Sequence, residues 1–284
     1  MDMLQNTMMT LFQKWAAVFL LGSLMSTSAV AANNCADKHR RINDNNNLIM
    51  LDGNARGNIK MMVSGMVGKD VDEQASGNIR FDQCGVLSDA LFDYHKSEGS
   101  VILKMVNHTV KAAGGWESTY EIAVILEKEG AQALATHKLG KINFSTDKNG
   151  FITTSTDAFT INDQKGFTTT VYSYDKRHRL VKSVARGSDA LANDQYVYDY
   201  DKKGLLSTTA SSKGSTTYRY DGGGRELGST SVSTTSISQI SKTEECQRFD
   251  PVGNCVLSYG GETEIFPLYV IKRHRSTAMQ YQYW

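Results

Sequence analysis

Proline and long apolar runs are scarce in this sequence, and their scarcity narrows the classes of protein it can belong to. Only two prolines occur among 284 residues, against 24 glycines, so glycine marks the turns of this chain. The net charge is +1, which gives no sign of a nucleic-acid-binding surface or of attraction to anionic membranes. Hydrophobic residues make up 40% and charged residues 21% of the chain, the balance of a globular protein.

The one notable apolar run lies at the N-terminus. Lys14 precedes an apolar stretch at 15–25, and Ala29 and Ala31 then form an A-x-A cleavage site. The stretch is too short for a membrane-spanning helix, which needs about 20 apolar residues. We therefore predict a signal peptide over residues 1–31, with cleavage after Ala32 as the alternative. No membrane span is expected in the mature chain, which is predicted to be periplasmic or secreted.

Cysteine is also rare, with four in the chain: Cys35, Cys84, Cys246 and Cys255. In an exported protein an even number of cysteines predicts disulfides. Cys246 and Cys255 flank a turn-like segment, so we predict that they pair with each other, which leaves Cys35 to pair with Cys84. A zinc site is the alternative, but the sequence has no C-x-x-C and no nearby histidine pair.

Catalytic and cofactor motifs are missing. The sequence contains no G-x-S-x-G, no H-E-x-x-H, no P-loop and no G-x-G-x-x-G before a helix. We predict no catalytic, cofactor-binding or metal-binding residues and no cofactor. Calcium ligation by "DKNG" (147–150) or "DPVG" (250–253) is an alternative, but these loops lack alternating ligands and a distal glutamate.

What the sequence has in excess is the pattern Asp-x-x-Gly. Aspartate suits the first position of a type I turn because its carboxylate accepts a hydrogen bond from the backbone N–H two residues on. Glycine suits the fourth position, which often has positive φ. At 175–178 this position holds His178, a residue enriched at positive φ. We predict tight turns at the six occurrences, which are 82–85, 147–150, 163–166, 201–204, 221–224 and 250–253.

Strand signals flank these turns. Tyrosines two residues apart, on one face of a strand, precede three of the turns, and an aliphatic residue usually follows. Further glycine turns continue this rhythm from about residue 83 to 224, which is typical of an antiparallel all-β fold. The tyrosine pairs are Tyr172 and Tyr174, Tyr198 and Tyr200, and Tyr218 and Tyr220.

We therefore predict one all-β domain over 32–284, a large antiparallel meander of hairpins. Because twist makes so large a sheet curl, split or close, it can be a curved open sheet, a sandwich or a barrel. Segments 100–106 and 120–127 are expected to be more fully buried strands, and 228–243 an exposed strand or a mobile loop. No amphipathic helix is predicted, and a short helical turn within 186–194 is the most helical piece expected.

Two features are candidate binding elements. The six tyrosines could form an aromatic face that stacks on sugar rings or on a partner's side chains, or they could be cross-strand core pairs, which we favour. Basic clusters at 38–41, 176–179 and 272–275 could form a patch for an anionic polymer, or they could be solvated turn residues, which we favour.

The Tyr-x-Tyr-Asp-x-x-Gly-x-Leu rhythm over about 140–260 resembles the YD repeats of bacterial Rhs-type proteins, which build long antiparallel β-sheets. The chain also resembles the YnfC-like family of enterobacterial envelope lipoproteins of unknown function. The matching features are "DKNGFITTSTD" (147–157), "TYRYDGGGRELGST" (217–230), the Cys246 and Cys255 pair around "FDPVGN", and "YVIK" (269–272) running to "YQYW".

The second resemblance implies an envelope β-protein and supplies no catalytic residues. Relatives of that family carry a lipid-bearing cysteine directly after the hydrophobic region. Here Cys35 follows "AANN" (31–34), and no Leu-x-Gly-Cys pattern precedes it, so a lipid anchor is not expected.

We expect a non-enzymatic, exported cell-envelope protein that acts as a binding, adaptor or structural scaffold. Its expected partner is an envelope protein or a polysaccharide and not nucleic acid. One alternative is a hydrolase of an envelope polymer, which needs a pocket where a histidine meets a carboxylate or a serine. Another is an outer-membrane barrel, which needs an outward apolar band, whereas strands such as 167–175 are polar or mixed on both faces. A secreted effector or its antagonist is a further possibility.

Overall fold

The computed structural model describes residues 35, 37–190 and 192–284. The predicted signal peptide and its cleavage site lie outside these residues. A helix, α1 (Asp37–Leu51), precedes sixteen strands. The strands are β1 (Ile59–Gly68), β2 (Asp72–Phe81), β3 (Leu87–Glu98), β4 (Val101–Ala112), β5 (Gly115–Lys128), β6 (Ala131–Thr146), β7 (Ile152–Ile161), β8 (Gln164–Tyr174), β9 (Leu180–Gly187), β10 (Asp194–Tyr200), β11 (Leu206–Ser211), β12 (Gly214–Tyr220), β13 (Glu226–Thr234), β14 (Gln239–Phe249), β15 (Cys255–Ile265) and β16 (Val270–Tyr283).

The strands form a closed barrel. Each pairs antiparallel with the next, and β1 pairs with β16, in register from Ile59 opposite Tyr283 to Gly68 opposite Arg275. The predicted all-β antiparallel meander is confirmed, and of the three possible shapes it adopts the barrel. Closure leaves none of these sixteen described strands with an unpaired edge.

The Asp-x-x-Gly turns gather at one end of the barrel, here called the turn end. In five of the six, the glycine has a φ of +76° to +96° and donates its N–H to the aspartate carbonyl. The aspartate Oδ1 accepts the backbone N–H groups two and four residues on, at 2.8–3.0 Å. His178 takes the glycine position with a φ of 60°. The turn prediction is confirmed at these sites.

The turn prediction at 163–166 is wrong. Asn162 and Asp163 themselves have positive φ, 46° and 69°, and they form a two-residue turn between Ile161 and Gln164 at the opposite end of the barrel. Gly166 instead lies within β8 beneath the ring of Phe159, where an added Cβ would come 2.4 Å from a ring carbon. Asn162 and Asp163 supply the two positive-φ residues of this turn, and Gly166 instead leaves room for the ring of Phe159.

Burial alternates along strands β4 and β5, so the prediction that they are more fully buried is wrong. Leu103 and Met105 are buried, while Lys104 and Val106 are exposed. The reason is that each barrel strand has one inner and one outer face. Segment 228–243 lies in the β13–β14 hairpin. Segment 186–194 connects β9 to β10, where Ala192 N–H donates to Asp189 O at 3.0 Å.

Helix α1 closes part of the turn end, and the prediction of no amphipathic helix is wrong. Apolar Ile42, Leu48 and Leu51 are buried. Between them four asparagines donate side-chain amides to turn carbonyls, and the pairs are Asn43 to Cys84 (2.7 Å), Asn45 to His178 (2.8 Å), Asn46 to Gly150 (2.8 Å) and Asn47 to Gly85 (3.3 Å). Asparagine has weak helix propensity and interrupts the helical spacing of apolar residues. The sequence pattern therefore did not predict this helix.

The barrel lumen is filled unevenly. Strands β1 to β7 and β16 direct buried apolar side chains inward, including Ile79, Leu87, Trp116 and Val124, in two core clusters. Strands β8 to β14 direct mainly tyrosine, serine, threonine and charged side chains inward. The polar half of the lumen therefore keeps space for a cavity.

Candidate functional site: a cavity beneath the helix

Helix α1 leaves a gap at the turn end. Its asparagines reach the β2–β3, β6–β7 and β8–β9 turns, and the segment after the helix reaches the β14–β15 turn through Arg56 N–H to Asn254 Oδ1 (2.6 Å). In the described chain, no side-chain hydrogen bond joins the helix to the β10–β11 or β12–β13 turn. A cavity of about 840 Å³ lies at this gap and extends into the lumen, a volume typical of ligand sites.

Positive side chains surround the entrance of this cavity. We call them the mouth cations: Arg40, Arg41, Arg56, Arg177, Arg179, Lys202 and Lys203. Arg179 is paired with Asp175 at 2.7 Å and lies over the ring of Tyr200 at 4.6 Å. The other six have no carboxylate within 4 Å among the residues described here. The arginines of two of the three basic clusters, Arg40 and Arg41 from 38–41 and Arg177 and Arg179 from 176–179, thus meet at one entrance.

Hydrogen bonds to backbone carbonyls hold three of the mouth cations in place. Lys203 Nζ donates to Gly222 O at 2.7 Å, Arg56 donates to Gly223 O at 3.3 Å, and Arg41 donates to Arg177 O at 3.3 Å. These bonds link neighbouring turns to one another and to the helix. Because carbonyl oxygens carry no net charge, these bonds add no ion pair within 4 Å to these three cations in the described part of the chain.

Carboxylates line the interior of the same cavity. Burial raises the pKa of Asp44 to about 6, against the opposing charges of two arginines of its own helix. Burial, and then the charge of Glu244, raises the pKa of Glu226 to about 7. Glu244 accepts a hydrogen bond from Ser258 and lies 3.7 Å from Arg275. The cavity is therefore positive at its entrance and has acceptor groups inside.

Towards the opposite end of the barrel, the lumen contains a compensated charge cluster. We call it the lumenal ion cluster: Lys96, Glu98, Lys242, Glu262, Glu264 and Arg273. Arg273 donates to all three carboxylates at 2.7–2.9 Å. Burial opposes ionisation of Glu262, but the charges of Lys242 and Arg273 outweigh it and lower the pKa of Glu262 to about 2. Each charge here has a partner, unlike most of the mouth cations.

The six predicted tyrosines all face the lumen in a repeated arrangement. The second tyrosine of each pair donates its hydroxyl to the carbonyl of the residue that opens the preceding strand. These bonds join Tyr174 to Ile152 (2.6 Å), Tyr200 to Leu180 (2.8 Å) and Tyr220 to Leu206 (2.9 Å). The first tyrosine meets a hydroxyl in two pairs, Tyr172 with Ser155 (3.0 Å) and Tyr198 with Ser183 (3.4 Å).

Only three of these tyrosines, Tyr200, Tyr218 and Tyr220, line the cavity. The sequence could not separate them from the other three, because the helix that determines which sector stays open was not predicted. Among the mouth cations, sequence reasoning identified only those in the basic clusters 38–41 and 176–179. It identified neither the other mouth cations nor the carboxylates inside the cavity.

Histidines meet carboxylates on the outer surface and not in the cavity. The closest pairs are His108 with Asp89 (2.8 Å), His137 with Glu121 (2.8 Å) and His274 with Asp70 (2.6 Å). Among the residues that the structure describes, no histidine lines the cavity. Within the described ranges, no group of three or more histidine, cysteine or acidic residues is arranged to hold a metal ion.

Both predicted disulfides are confirmed. Cys35 and Cys84 are bonded, with Cα atoms 5.5 Å apart, and this bond ties the start of α1 to the β2–β3 turn. Cys246 and Cys255 are bonded across the β14–β15 hairpin, with Cα atoms 5.7 Å apart.

The outer surface of the barrel carries charges along the middle of its strands. Asp93, Lys104, Glu121 and Lys141 project outward from β3, β4, β5 and β6 and are exposed. Exposed apolar residues such as Val106 lie between them. No helix in the described part of the chain is long and apolar enough to cross a membrane.

Comparison with solved structures finds likenesses of shape at low sequence identity. No protein-family model and no curated protein matches the chain. A porin-like protein from Bacteroides uniformis aligns with a TM-score of 0.48 and 12% identity, over 80% of this chain and 99% of that one. A TcdB2–TccC3 structure aligns with a TM-score of 0.23 and 8% identity, over 74% of this chain but 15% of that one. No functional conclusion follows from these alignments.

Proposed function

We propose that the protein is an exported, water-exposed β-barrel of the cell envelope that binds a ligand in the cavity beneath α1 and catalyses no reaction. The observation that carries this proposal is the set of mouth cations around a cavity of about 840 Å³. Six of these cations have no ion-pair partner among the described residues, so an anion from outside the chain can bind there. The predicted signal peptide and the two disulfides support an oxidising compartment.

An outer-membrane barrel is the second candidate, because sixteen antiparallel strands in a closed barrel suit that class. The charged outer surface argues against it. A lysine or arginine on the lipid face near the bilayer centre costs about 2–4 kcal/mol, and Lys104 and Lys141 are exposed on the outer face, with Asp93 and Glu121 nearby. An envelope-polymer hydrolase is less well supported because none of the described residues that line the cavity is a histidine.

Fractionation of a Gram-negative host that expresses the full chain tests the proposal. We expect osmotic shock to release the mature protein with soluble periplasmic proteins and without detergent. The N-terminus of the released protein should be Ala32, or Asn33 if cleavage follows Ala32. A resident porin and a resident soluble periplasmic protein serve as the two controls. Co-fractionation with the porin until detergent is added would overturn the proposal in favour of the outer-membrane barrel.

A further inference from the structure

We propose that the cavity beneath α1 binds an acidic oligosaccharide, such as the end of an acidic polysaccharide chain, with its carboxylates on the mouth cations. This inference rests on the proposed function and names its ligand class. The cavity, the mouth cations that have no ion-pair partner among the described residues, and the acceptor-rich interior are three separate observations that agree on this chemistry.

The distribution of charge pairing points to an anionic group at the entrance. Arg273, Lys242 and Lys96 in the lumen each have a carboxylate within 4 Å. Among the mouth cations, Arg177 and Lys202 have none in the described chain. Guanidinium and ammonium groups bind carboxylates, sulfates and phosphates through charge-assisted hydrogen bonds. An external anion would therefore provide the missing partner.

The interior of the cavity favours a hydroxyl-rich body over a second anion. Glu226 and Glu244 accept hydrogen bonds when ionised, and sugar hydroxyls are suitable donors. Thr216, Ser229 and Tyr220 line the same space. Hydroxyl and aromatic side chains are the groups on which a sugar ring can hydrogen-bond and pack. The carboxylates repel a second negative group, so the anionic part of the ligand is retained at the entrance.

Titration calorimetry with the purified mature protein tests the ligand class. The probes are oligogalacturonate, polyglutamate with the same number of carboxylates, and uncharged dextran oligomers. We expect oligogalacturonate to bind more tightly than polyglutamate by roughly fivefold or more, and dextran to bind least. Equal affinity for the two polyanions would overturn the assignment to a saccharide, and equal affinity for dextran would overturn the role of charge.

A matched pair of double variants tests the location. Arg177→Glu with Lys202→Glu reverses two mouth cations. Lys148→Glu with Lys176→Glu makes the same charge change at exposed positions of the same kind of turn that do not line the cavity. Lys148, Lys176 and Lys202 each follow the first aspartate of a turn. We expect the first variant to lose oligogalacturonate affinity by roughly tenfold or more, and the control by less than about twofold.

Equal losses in the two variants would show nonspecific attraction and would overturn the inference, as would failure of the unaltered protein to bind oligogalacturonate. Thermal unfolding of both variants checks that they are folded. If the protein is released without detergent but does not bind oligogalacturonate, only the ligand class is refuted. A requirement for detergent refutes the proposed function.

Discussion

A single aspartate oxygen organises each turn at the turn end of the barrel. In the turn at Asp147, Oδ1 accepts the N–H of Asn149 at 2.8 Å and of Phe151 at 3.0 Å. Burial is the largest single influence and raises the pKa of Asp147, but the hydrogen bonds from Asn149, Phe151 and Gly150 together outweigh it and lower that pKa. In these turns Oδ1 is therefore committed to the backbone, and Oδ2 is the oxygen left to pair with a cation. Asp175 Oδ2 accepts from Arg179 at 2.7 Å, and Asp221 Oδ2 accepts from Arg225 at 2.6 Å.

The repeated tyrosine bonds should contribute measurably to stability. Tyr174 donates to the carbonyl of fully buried Ile152. Tyr174→Phe removes the donor and leaves that carbonyl unsatisfied, so we expect a loss of about 1–2 kcal/mol in the free energy of unfolding, measured with urea. Tyr259→Phe is the control, because Tyr259 is 52% exposed on the outer surface. An equal change in the free energy of unfolding of both variants would show that the hydroxyl of Tyr174 contributes no more than the exposed hydroxyl of Tyr259.

Two strand glycines accommodate aromatic rings, and their substitution should cause overpacking. A Cβ at Gly140 would lie 2.1 Å from the ring of Tyr120, whereas a Cβ at Gly222, in a turn, meets nothing within 4 Å. We expect Gly140→Ala to lower the free energy of unfolding by about 1–3 kcal/mol. Gly222→Ala should leave it nearly unchanged. Similar unfolding midpoints for the two variants would contradict this account.

At the scale of the element, α1 is held by asparagine bonds as well as by an apolar stripe. Asn46 is 1% exposed, donates to Gly150 O at 2.8 Å and accepts from Ile152 N–H at 3.0 Å. Asn46→Ala leaves both backbone groups unsatisfied, so we expect a loss of about 2–4 kcal/mol in the free energy of unfolding by urea titration.

His39→Ala is the control for Asn46→Ala, because His39 is exposed on the same helix. Asn46→Asp keeps the acceptor for Ile152 N–H but places a carboxylate against Gly150 O. It should therefore be less destabilised at pH 4, where protonation restores a donor, than at pH 7. A stability of Asn46→Asp that does not vary with pH would contradict the bonding scheme.

At the scale of the whole molecule, local signals predicted the hairpins but not how they close. The sequence predicts the turn at Asp201 and the strand ending at Tyr200, because turn chemistry and the alternation of side chains along a strand act over a few residues. The pairing of Ile59 with Tyr283 joins the first strand to the last and closes the barrel, and no local pattern encodes it. The cavity depends on which turns α1 covers, and hence on asparagines such as Asn45 that sequence periodicity does not register.

The lumenal ion cluster links distant strands of the closed barrel, and this predicts a pH-dependent stability. Arg273 on β16 bonds to Glu98 on β3 and to Glu262 and Glu264 on β15. Arg273→Met leaves three carboxylates without their main partner, so we expect a loss of about 3–5 kcal/mol at pH 7 in urea unfolding. Arg219→Met is the control, because it breaks the exposed pair with Glu245, and it should cost less than about 1 kcal/mol.

The loss caused by Arg273→Met should also shrink at low pH. The pKa of Glu262 is about 2 in the folded barrel, below its ordinary value of 4.5. Its stabilising contribution is therefore fully present above pH 4.5 and disappears as the pH falls through about 2. The unaltered protein should lose this contribution over that range while the variant, which lacks it, changes less. A difference between the two proteins that stays constant from pH 7 to pH 3 would show that Arg273 stabilises the barrel by packing and not by charge.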